Sequence, residues 1–569
     1  MKWLPYAMLG LVSAIFLGLA LLGPLSTETL YWVQPLMIIL NLLLIVFALM
    51  MARKPILSFF SKIPKKFWIA ILLIFLMGFS YRLFIPPKHH KIYYDEDIYL
   101  DIAHNIANQD KACLCDYGSR DYCYECIDNK QPMGMPTFYS LIMMKFKPFG
   151  FLNEFSIFCI NIFISSLAII GLFLLASALT KNKLIALLAA LGLAINPTHV
   201  RWSVSTSQDA FFVTFLLATM FVFFLSLKQK QKGLTLAAFL LASYTIQIRT
   251  EGFLILPIMG IIYLLYQSKP WVTLGTKEMV IAVSLLLLFT APTMLHILNN
   301  KQDSWGAPEG KKLSLDYMEG NIKANVGYFF DNTRFPIIFS VLALIGILLG
   351  LFRYTKATLS LLFWFFSFFL LYAVFYAGSF SYGMDVRFVL SMLPVVFILS
   401  GIGCFGLWDW FWNKAKPVFK DKLYAYKLLK NSLLVVIFMG LTLATIIPFH
   451  QAVSTFGEQA SDAKLMHELA TKFVPSTDKN CLFLSQVSSM FRNLGRSSIQ
   501  MHRFRWGDKR EELLSNYDCI YLYWGYWCAS SEPHRKEQCQ PLLDEFDFEK
   551  KASIKHYDKE FAFYYLNRE

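Results

Sequence analysis

Tyr94-Asp95-Glu96-Asp97-Ile98-Tyr99 sets three carboxylates in a row just after a long apolar segment, 67–84. Charge is costly to bring near hydrocarbon, so acids at such a boundary need a reason. One reason is proton transfer. A carboxylate held there, Asp95 foremost with Glu96 in support, can take the proton of a hydroxyl about to attack an electrophile. The plainer alternative is a solvated helix start, because acids favour the positive end of a helix. If 96–107 is helical, Asp97, Asp101 and His104 share a face at i, i+4 and i+7, either a metal face or simply the polar side.

Other charges stand beside apolar runs further along. Asp209 opens one run, Arg249 and Glu251 lie between two with little loop to solvate them, and Arg387 sits at the end of another. Arginine offers a planar fork that suits phosphate oxygens, so Arg387, Arg249 and Arg201 are candidate phosphate ligands. Interface snorkelling and a structural Arg249–Glu251 ion pair are the alternatives. Tyr99, Asp97, Asp209 and Glu251 are candidates to shape a pocket or touch an acceptor. Lys88, His89, His90 and Lys91 form a basic run just before Asp95 that either contacts anionic headgroups or merely flanks a span.

The elements that carry these residues are apolar. The chain has 569 residues, 56% hydrophobic and only 16% charged, the composition of a polytopic membrane protein. Spans are expected at about 3–23, 33–51, 67–84, 153–179, 184–197, 209–227, 234–247, 252–267, 279–296, 335–352, 358–377, 386–408 and 432–448, some thirteen in all. The first reads as an uncleaved helix rather than a signal peptide, since Pro24-Leu25-Ser26 provides no small-x-small cleavage site. The net charge of +14 does not indicate nucleic acid, because much of it lies in short loops between apolar runs. Arg53 to Lys66, Lys181 and Lys183, Lys228 to Lys232, Lys269 and Lys277, Arg353 and Lys356, and Lys414 to Lys430 all fall on one side in a single assignment. That side is cytoplasmic, together with the N-terminus.

The opposite side receives three polar pieces: 85–152, 297–334 and a tail from about 450. Residues 1–449 are thus expected to form the transmembrane domain and 450–569 an extracytoplasmic one. In the tail, Cys481 to Leu484 and Cys519 to Tyr523 read as buried strands, with helices at Ala463 to Phe473 and Lys509 to Ser515, which suggests a small α/β domain. Tyr521, Tyr523, Trp524, Tyr526 and Trp527 form an aromatic cluster, either a sugar-stacking face or a core. Eight of the ten cysteines lie in outward pieces: Cys113, Cys115, Cys123 and Cys126 in the first loop, and Cys481, Cys519, Cys528 and Cys539 in the tail. Even numbers in an oxidising compartment suggest disulfides, although the first group also has metal-like spacing.

Outside a cytoplasmic membrane there are no nucleotide-activated sugars, so a glycosyl transfer there needs a sugar tethered to a lipid through phosphate. It also needs a base for the acceptor, a cation for the leaving phosphate and an apolar groove. The chain supplies candidates for each, and here it resembles the GT-C glycosyltransferases, in particular the branch of protein O-mannosyltransferases and lipid A aminoarabinose transferases. Residues 94–99 resemble the family's D-E-x-x-Y. Pro132-Met133-Gly134-Met135-Pro136 leading to Phe149-Gly150 is similar to its P-x-G-x-P segment. Asn196 to Trp202 with Ser207-Gln208-Asp209 resembles its second outward loop, Arg249-Thr250-Glu251-Gly252 its R-x-E-G turn, and Arg387-Phe388 with Pro394 its R-[YF]…P motif. The five occur in the family's order over roughly 67–405.

The resemblance implies an inverting transfer of a sugar from a polyprenyl-phosphate donor to an extracytoplasmic acceptor (a protein, lipid A or a cell-surface glycan), with Asp95 as base and a basic residue on the lipid phosphate. It leaves a divalent metal open as cofactor. The expected site is an integral membrane protein of a bacterial inner membrane with a periplasmic tail. Two features depart from the family: two spans precede the acidic loop's own helix, and the first loop carries a cysteine-rich insert. The rival classes are a lipid-linked-sugar flippase and a non-catalytic assembly partner. A flippase predicts polar residues inside spans and paired halves. Convergence of Asp95, Asp209 and Arg387 on one cavity discriminates against both.

Overall fold

A computed structural model describes residues 26–569 apart from 147–153, 267–275, 301–306, 382–386, 420–425, 446–457, 507–509, 530–532 and isolated positions, and only a few of residues 1–25. Seven described helices are long and apolar enough to cross a membrane: Thr27–Met51, Lys65–Phe84, Phe155–Thr180, Gln208–Gln229, Met279–Asn299, Thr355–Val374 and Leu393–Ala415. Lys183–Ile195 and Pro197–Ser203 form an eighth, bent by 60°. With the shorter apolar helices Lys232–Ile248, Thr250–Tyr266 and Ile337–Arg353, they match eleven of the thirteen expected segments. The other two, 3–23 and 432–448, lie wholly or partly outside the described residues, as do Phe149-Gly150, Lys230 and Lys269. This is an integral membrane protein.

Burial sorts the helices into layers. Thr27–Met51 and Lys65–Phe84 are a third buried and show leucines such as Leu43 and Leu73 outward, as lipid-facing helices do. Gln208–Gln229 is 83% buried, which places it at the centre of the bundle and puts Asp209 at its buried start. Ile337–Arg353 and Leu393–Ala415 touch backbone to backbone, since a Cβ on Gly346 or Gly403 would collide with the carbonyl of Leu399 or Leu342. The break at Asn196-Pro197 frees carbonyls at the end of Lys183–Ile195, and Arg82 satisfies them. Its Nη1 donates to Ala194 O at 2.9 Å and its Nη2 to Leu193 O at 3.1 Å.

The polar pieces meet in one sheet. Strands β1 (Leu114–Gly118) and β2 (Cys123–Ile127) come from the first loop. Strands β3 (Cys481–Ser485), β4 (Ser497–Gln500), β5 (Cys519–Trp524), β6 (Phe548–His556) and β7 (Lys559–Leu566) come from the tail. The order is β2-β1-β4-β3-β5-β7-β6. Only β3 runs parallel to its neighbours β4 and β5, the other pairs being antiparallel. Both faces of β3 are buried: Leu482 and Leu484 pack in one hydrophobic cluster, Cys481 and Phe483 in the other. The expected α/β tail is therefore present, with helix Glu458–Phe473 packing in the second cluster. All four cysteines of each group are paired: Cys113–Cys126, Cys115–Cys123, Cys481–Cys519 and Cys528–Cys539. The first two clasp the β1–β2 hairpin, and Cys159 and Cys404 remain as thiols.

Ahead of β1 the first loop forms helix Asp95–Gln109, whose polar face docks on the tail. Arg492 forms a buried ion pair with Asp101, and its Nη2 and Nε donate to Asn105 Oδ1 and Ser119 O, each at 2.8 Å. Cys115 N donates to the second Asp101 oxygen at 3.0 Å. Burial pushes the Asp101 carboxyl above its ordinary range and Arg492 only partly offsets this, so the pair acts more through orientation than net stability. Arg492→Met, which strands a buried carboxylate, is expected to cost about 3–5 kcal/mol, and Asp101→Leu/Arg492→Met to recover most of it. Thermal unfolding of the solubilised full chain reads both.

Candidate active site

Asp95 is the first residue of its helix and is partly exposed. Both of its oxygens accept hydrogen bonds. Gln131 Nε2 donates to Oδ1 at 3.2 Å and Arg387 Nη1 to Oδ2 at 3.2 Å. Gln131 is oriented in turn by Tyr99, whose hydroxyl donates to Gln131 Oε1 at 3.0 Å. Gln131 precedes the Pro132–Pro136 segment, which is seated where Gly134 leaves no room for a Cβ against the backbone of Gln247. Tyr244 Oη donates to Gly134 O at 3.2 Å.

Arg387 joins Asp95 to a second group of charges. Its Nη1 lies 4.0 Å from Asp209 Oδ2. Asp209 also pairs with Arg249, which grips Glu251 through two contacts, Nη2–Oε1 at 2.6 Å and Nε–Oε2 at 3.2 Å. Tyr372 Oη reaches Glu251 Oε1 at 3.5 Å. The guanidinium of Arg387 lies over the rings of Trp202 and Phe388, and that of Arg249 over Phe212 and Phe388. Three carboxylates and two arginines alternate, so no charge in the run lacks an opposite neighbour.

A cavity of about 690 Å³ opens in front of this run. Asp95, Tyr99, Gln131, Arg249, Glu251 and Arg387 line it together with apolar Leu313, Leu371 and Phe375, so one cavity presents charge and hydrocarbon to the same occupant. Lys130 and Lys312 add cations, and the Lys312 segment is strapped to the end of helix Thr355–Val374 by Tyr376 N donating to Lys312 O at 3.0 Å. A second cavity of about 280 Å³ shares Tyr94, Asp95, Lys130, Gln131 and Trp527 with the first and is also lined by Gln486, Ser489 and Gln500 of the tail. Tyr94 stacks on Trp527 at 5.5 Å between ring centres.

Of the residues named from sequence, Asp95, Tyr99, Arg249, Glu251 and Arg387 come together on the large cavity, with Asp209 buried behind them. Three point elsewhere. Glu96 is fully buried and accepts backbone N–H bonds from Ile92 at 3.3 Å and Thr206 at 2.7 Å, which ties the start of its helix to the loop between helices Pro197–Ser203 and Gln208–Gln229. Burial pushes its carboxyl up in spite of those bonds. Asp97 faces His90, His467 and Asn493. Arg201 sits on helix Pro197–Ser203 and does not line the cavity. Tyr521, Tyr523 and Trp524 pack within the tail, whereas Tyr526 and Trp527 reach the cavity. Sequence reasoning missed Gln131, Lys130 and Lys312; the first two adjoin a segment it had singled out. It also missed Arg492 and Asn493, which carry no local signal.

Arg249→Met would leave Glu251 without its cation and Asp209 with Arg387 alone, at an expected cost of about 3–5 kcal/mol. Arg249→Lys, which keeps the charge but not the fork, should cost roughly half as much. Unfolding midpoints of the two variants measure this, and equal losses would contradict the geometry.

Comparison with known proteins agrees with this architecture. Residues 130–296 match the profile of the dolichyl-phosphate-mannose-protein mannosyltransferase family. No curated protein matches in sequence. Among solved structures, ArnT from Cupriavidus metallidurans bound to undecaprenyl phosphate aligns with a TM-score of 0.55 at 12% identity, over 88% of this chain and 98% of that one. Its apo form aligns at 0.53 and 12% identity, with the same coverage. The archaeal oligosaccharyltransferase AglB from Archaeoglobus fulgidus, in complex with an inhibitory peptide and a dolichol-phosphate, aligns at 0.50 and 13% identity over 88% and 74%. The chain therefore has the fold of the GT-C membrane glycosyltransferases and resembles their mannosyltransferase and aminoarabinose-transferase branch.

Proposed function

We propose that this protein is an inverting glycosyltransferase that moves a hexosyl or pentosyl group from a polyprenyl-phosphate donor to a hydroxyl outside the cytoplasm. The observation that carries the reading is the meeting of Asp95 and Arg387 at 3.2 Å on the wall of an amphipathic cavity. A polyprenyl-phosphate sugar has one apolar and one anionic part, and the cavity offers surface to both. The ArnT and AglB structures hold undecaprenyl phosphate and dolichol-phosphate respectively.

In the reaction, Asp95 Oδ accepts the acceptor's O–H proton as that oxygen forms its bond to the anomeric carbon. The bond from the anomeric carbon to the phosphate oxygen breaks on the opposite face, and its electron pair leaves with the polyprenyl phosphate. Arg387 has five N–H donors, enough to bind phosphate oxygens while keeping its place beside Asp209. Asp209, Arg249 and Glu251 act as positioning residues that hold the Arg387 fork, and Gln131 holds the base. The acceptor enters through the smaller, polar cavity, which reaches Asp95 from the tail side. In this reading residues 1–449 are the transmembrane catalytic domain and 450–569 the extracytoplasmic one. The chain sits in a bacterial inner membrane with a cytoplasmic N-terminus, in keeping with the positive loops and the disulfides of the outward pieces.

Asp95→Asn is expected to lower transfer from lipid-linked sugars extracted from the producing cell's membranes by about 10²–10⁴-fold. Binding of undecaprenyl phosphate should persist. Arg387→Ala should lower transfer too, but also weaken that binding by about tenfold or more. Undiminished transfer by Asp95→Asn would remove the base. Mass spectrometry of glycolipids and glycoproteins from a deletion strain identifies the acceptor; an unchanged profile together with altered lipid translocation would favour a flippase.

A further inference from the structure

Asp97 lies two residues beyond Asp95, yet it faces away from the cavity toward a compact set of nitrogen donors. His90 comes from the basic run before the helix, and His467 from helix Glu458–Phe473 of the tail. Asp97 Oδ2 lies 3.5 Å from His90 Nδ1 and 3.3 Å from His467 Nε2, and the three ligand atoms all fall within 4.8 Å of one another. His90 and Asp97 are almost completely buried, and His467 is 17% exposed.

The two separations from Asp97 suit a metal. At a Zn–N or Zn–O bond length of about 2.0–2.1 Å, a tetrahedron sets its ligand atoms about 3.3–3.4 Å apart. A cluster drawn together by charge-assisted hydrogen bonds alone would close to about 2.7–2.9 Å. The other Asp97 oxygen is engaged, with Asn493 Nδ2 donating to Oδ1 at 3.2 Å. That is the outer-shell support that fixes a ligating carboxylate and turns its second oxygen toward the ion. The two imidazole rings meet edge to face at 4.2 Å between centres, so their nitrogens can converge without stacking. Phe158 flanks the His90 ring and lowers the polarity on one side.

We propose that His90, Asp97 and His467 form a divalent metal site of the zinc class, three protein ligands with a water in the fourth position. Two imidazoles and one carboxylate disfavour magnesium or calcium, which take oxygen ligands. The site joins three separated parts of the chain: the loop after helix Lys65–Phe84, the start of the Asp95 helix, and the tail. The ion is a positioning device that fixes the tail against the helix carrying Asp95. The inference goes beyond the proposed transfer reaction and does not depend on it.

The test uses full-length protein purified without a histidine tag from zinc-supplemented cells, with zinc measured by plasma mass spectrometry. About one zinc per chain is expected in the wild type and in His502→Gln, an exposed control outside the cluster, falling below about a tenth in His90→Gln and in His467→Gln. Chelation should lower the unfolding midpoint of the wild type and leave that of His467→Gln unmoved. Zinc absent from the wild type even after reconstitution overturns the proposal, as does zinc retained by both variants. If the variants do not fold, X-ray absorption of the wild-type protein decides: two imidazoles in a nitrogen and oxygen shell support the site, and a shell with sulfur or fewer imidazoles overturns it.

Discussion

A charge next to hydrocarbon must be paired or hydrated, and the outward rim of the bundle follows from that constraint. Asp95, Arg387, Asp209, Arg249 and Glu251 come from four distant stretches of the chain yet form one alternating run. Each member holds its neighbours, so the run aligns the helices that bear it. Asp95 and Arg387 are the most open members of the run, at 22% exposure, whereas Asp209 is nearly sealed at 1%. The two most exposed charges are thus held in place by more buried ones.

The same constraint shapes the rest of the rim. A helix broken at Pro197 would expose carbonyls inside the membrane, and the buried Arg82 covers them. The short helix and loop that follow carry Trp202, beneath Arg387, and Thr206, whose amide is held by Glu96. Capping a broken helix therefore contributes to the wall of the site. The tail is bound in as firmly. Its sheet takes two strands from the first loop, and Arg492 reaches into the polar face of the Asp95 helix, so the tail forms part of the cavity wall.

Much of this was legible in the sequence because it depends on local composition. Apolar length predicts a span, and the short continuous apolar run Cys481 to Leu484 predicts a buried strand. Asp95 and Arg387 were legible as charges where an apolar run ends. What stayed hidden were partnerships across long separations, such as 292 residues for Arg387 and Asp95 or 391 for Arg492 and Asp101. Gln131 adjoins a marked segment but is itself an ordinary loop glutamine, and His467 on an amphipathic helix has no local mark at all.

Three consecutive acids show where the division falls. Composition and position alone marked residues 95–97 as carboxylates just beyond an apolar span, where a helix starts. Successive residues on a helix point about 100° apart, so the three must face different surroundings. Only the packing of the loop carrying Thr206 and of the tail decided which is which. Asp95 opens to the cavity, Glu96 binds backbone amides, and Asp97 meets two histidines. A sequence carries the chemistry of each side chain, but the direction in which it acts depends on neighbours that only the folded chain brings close.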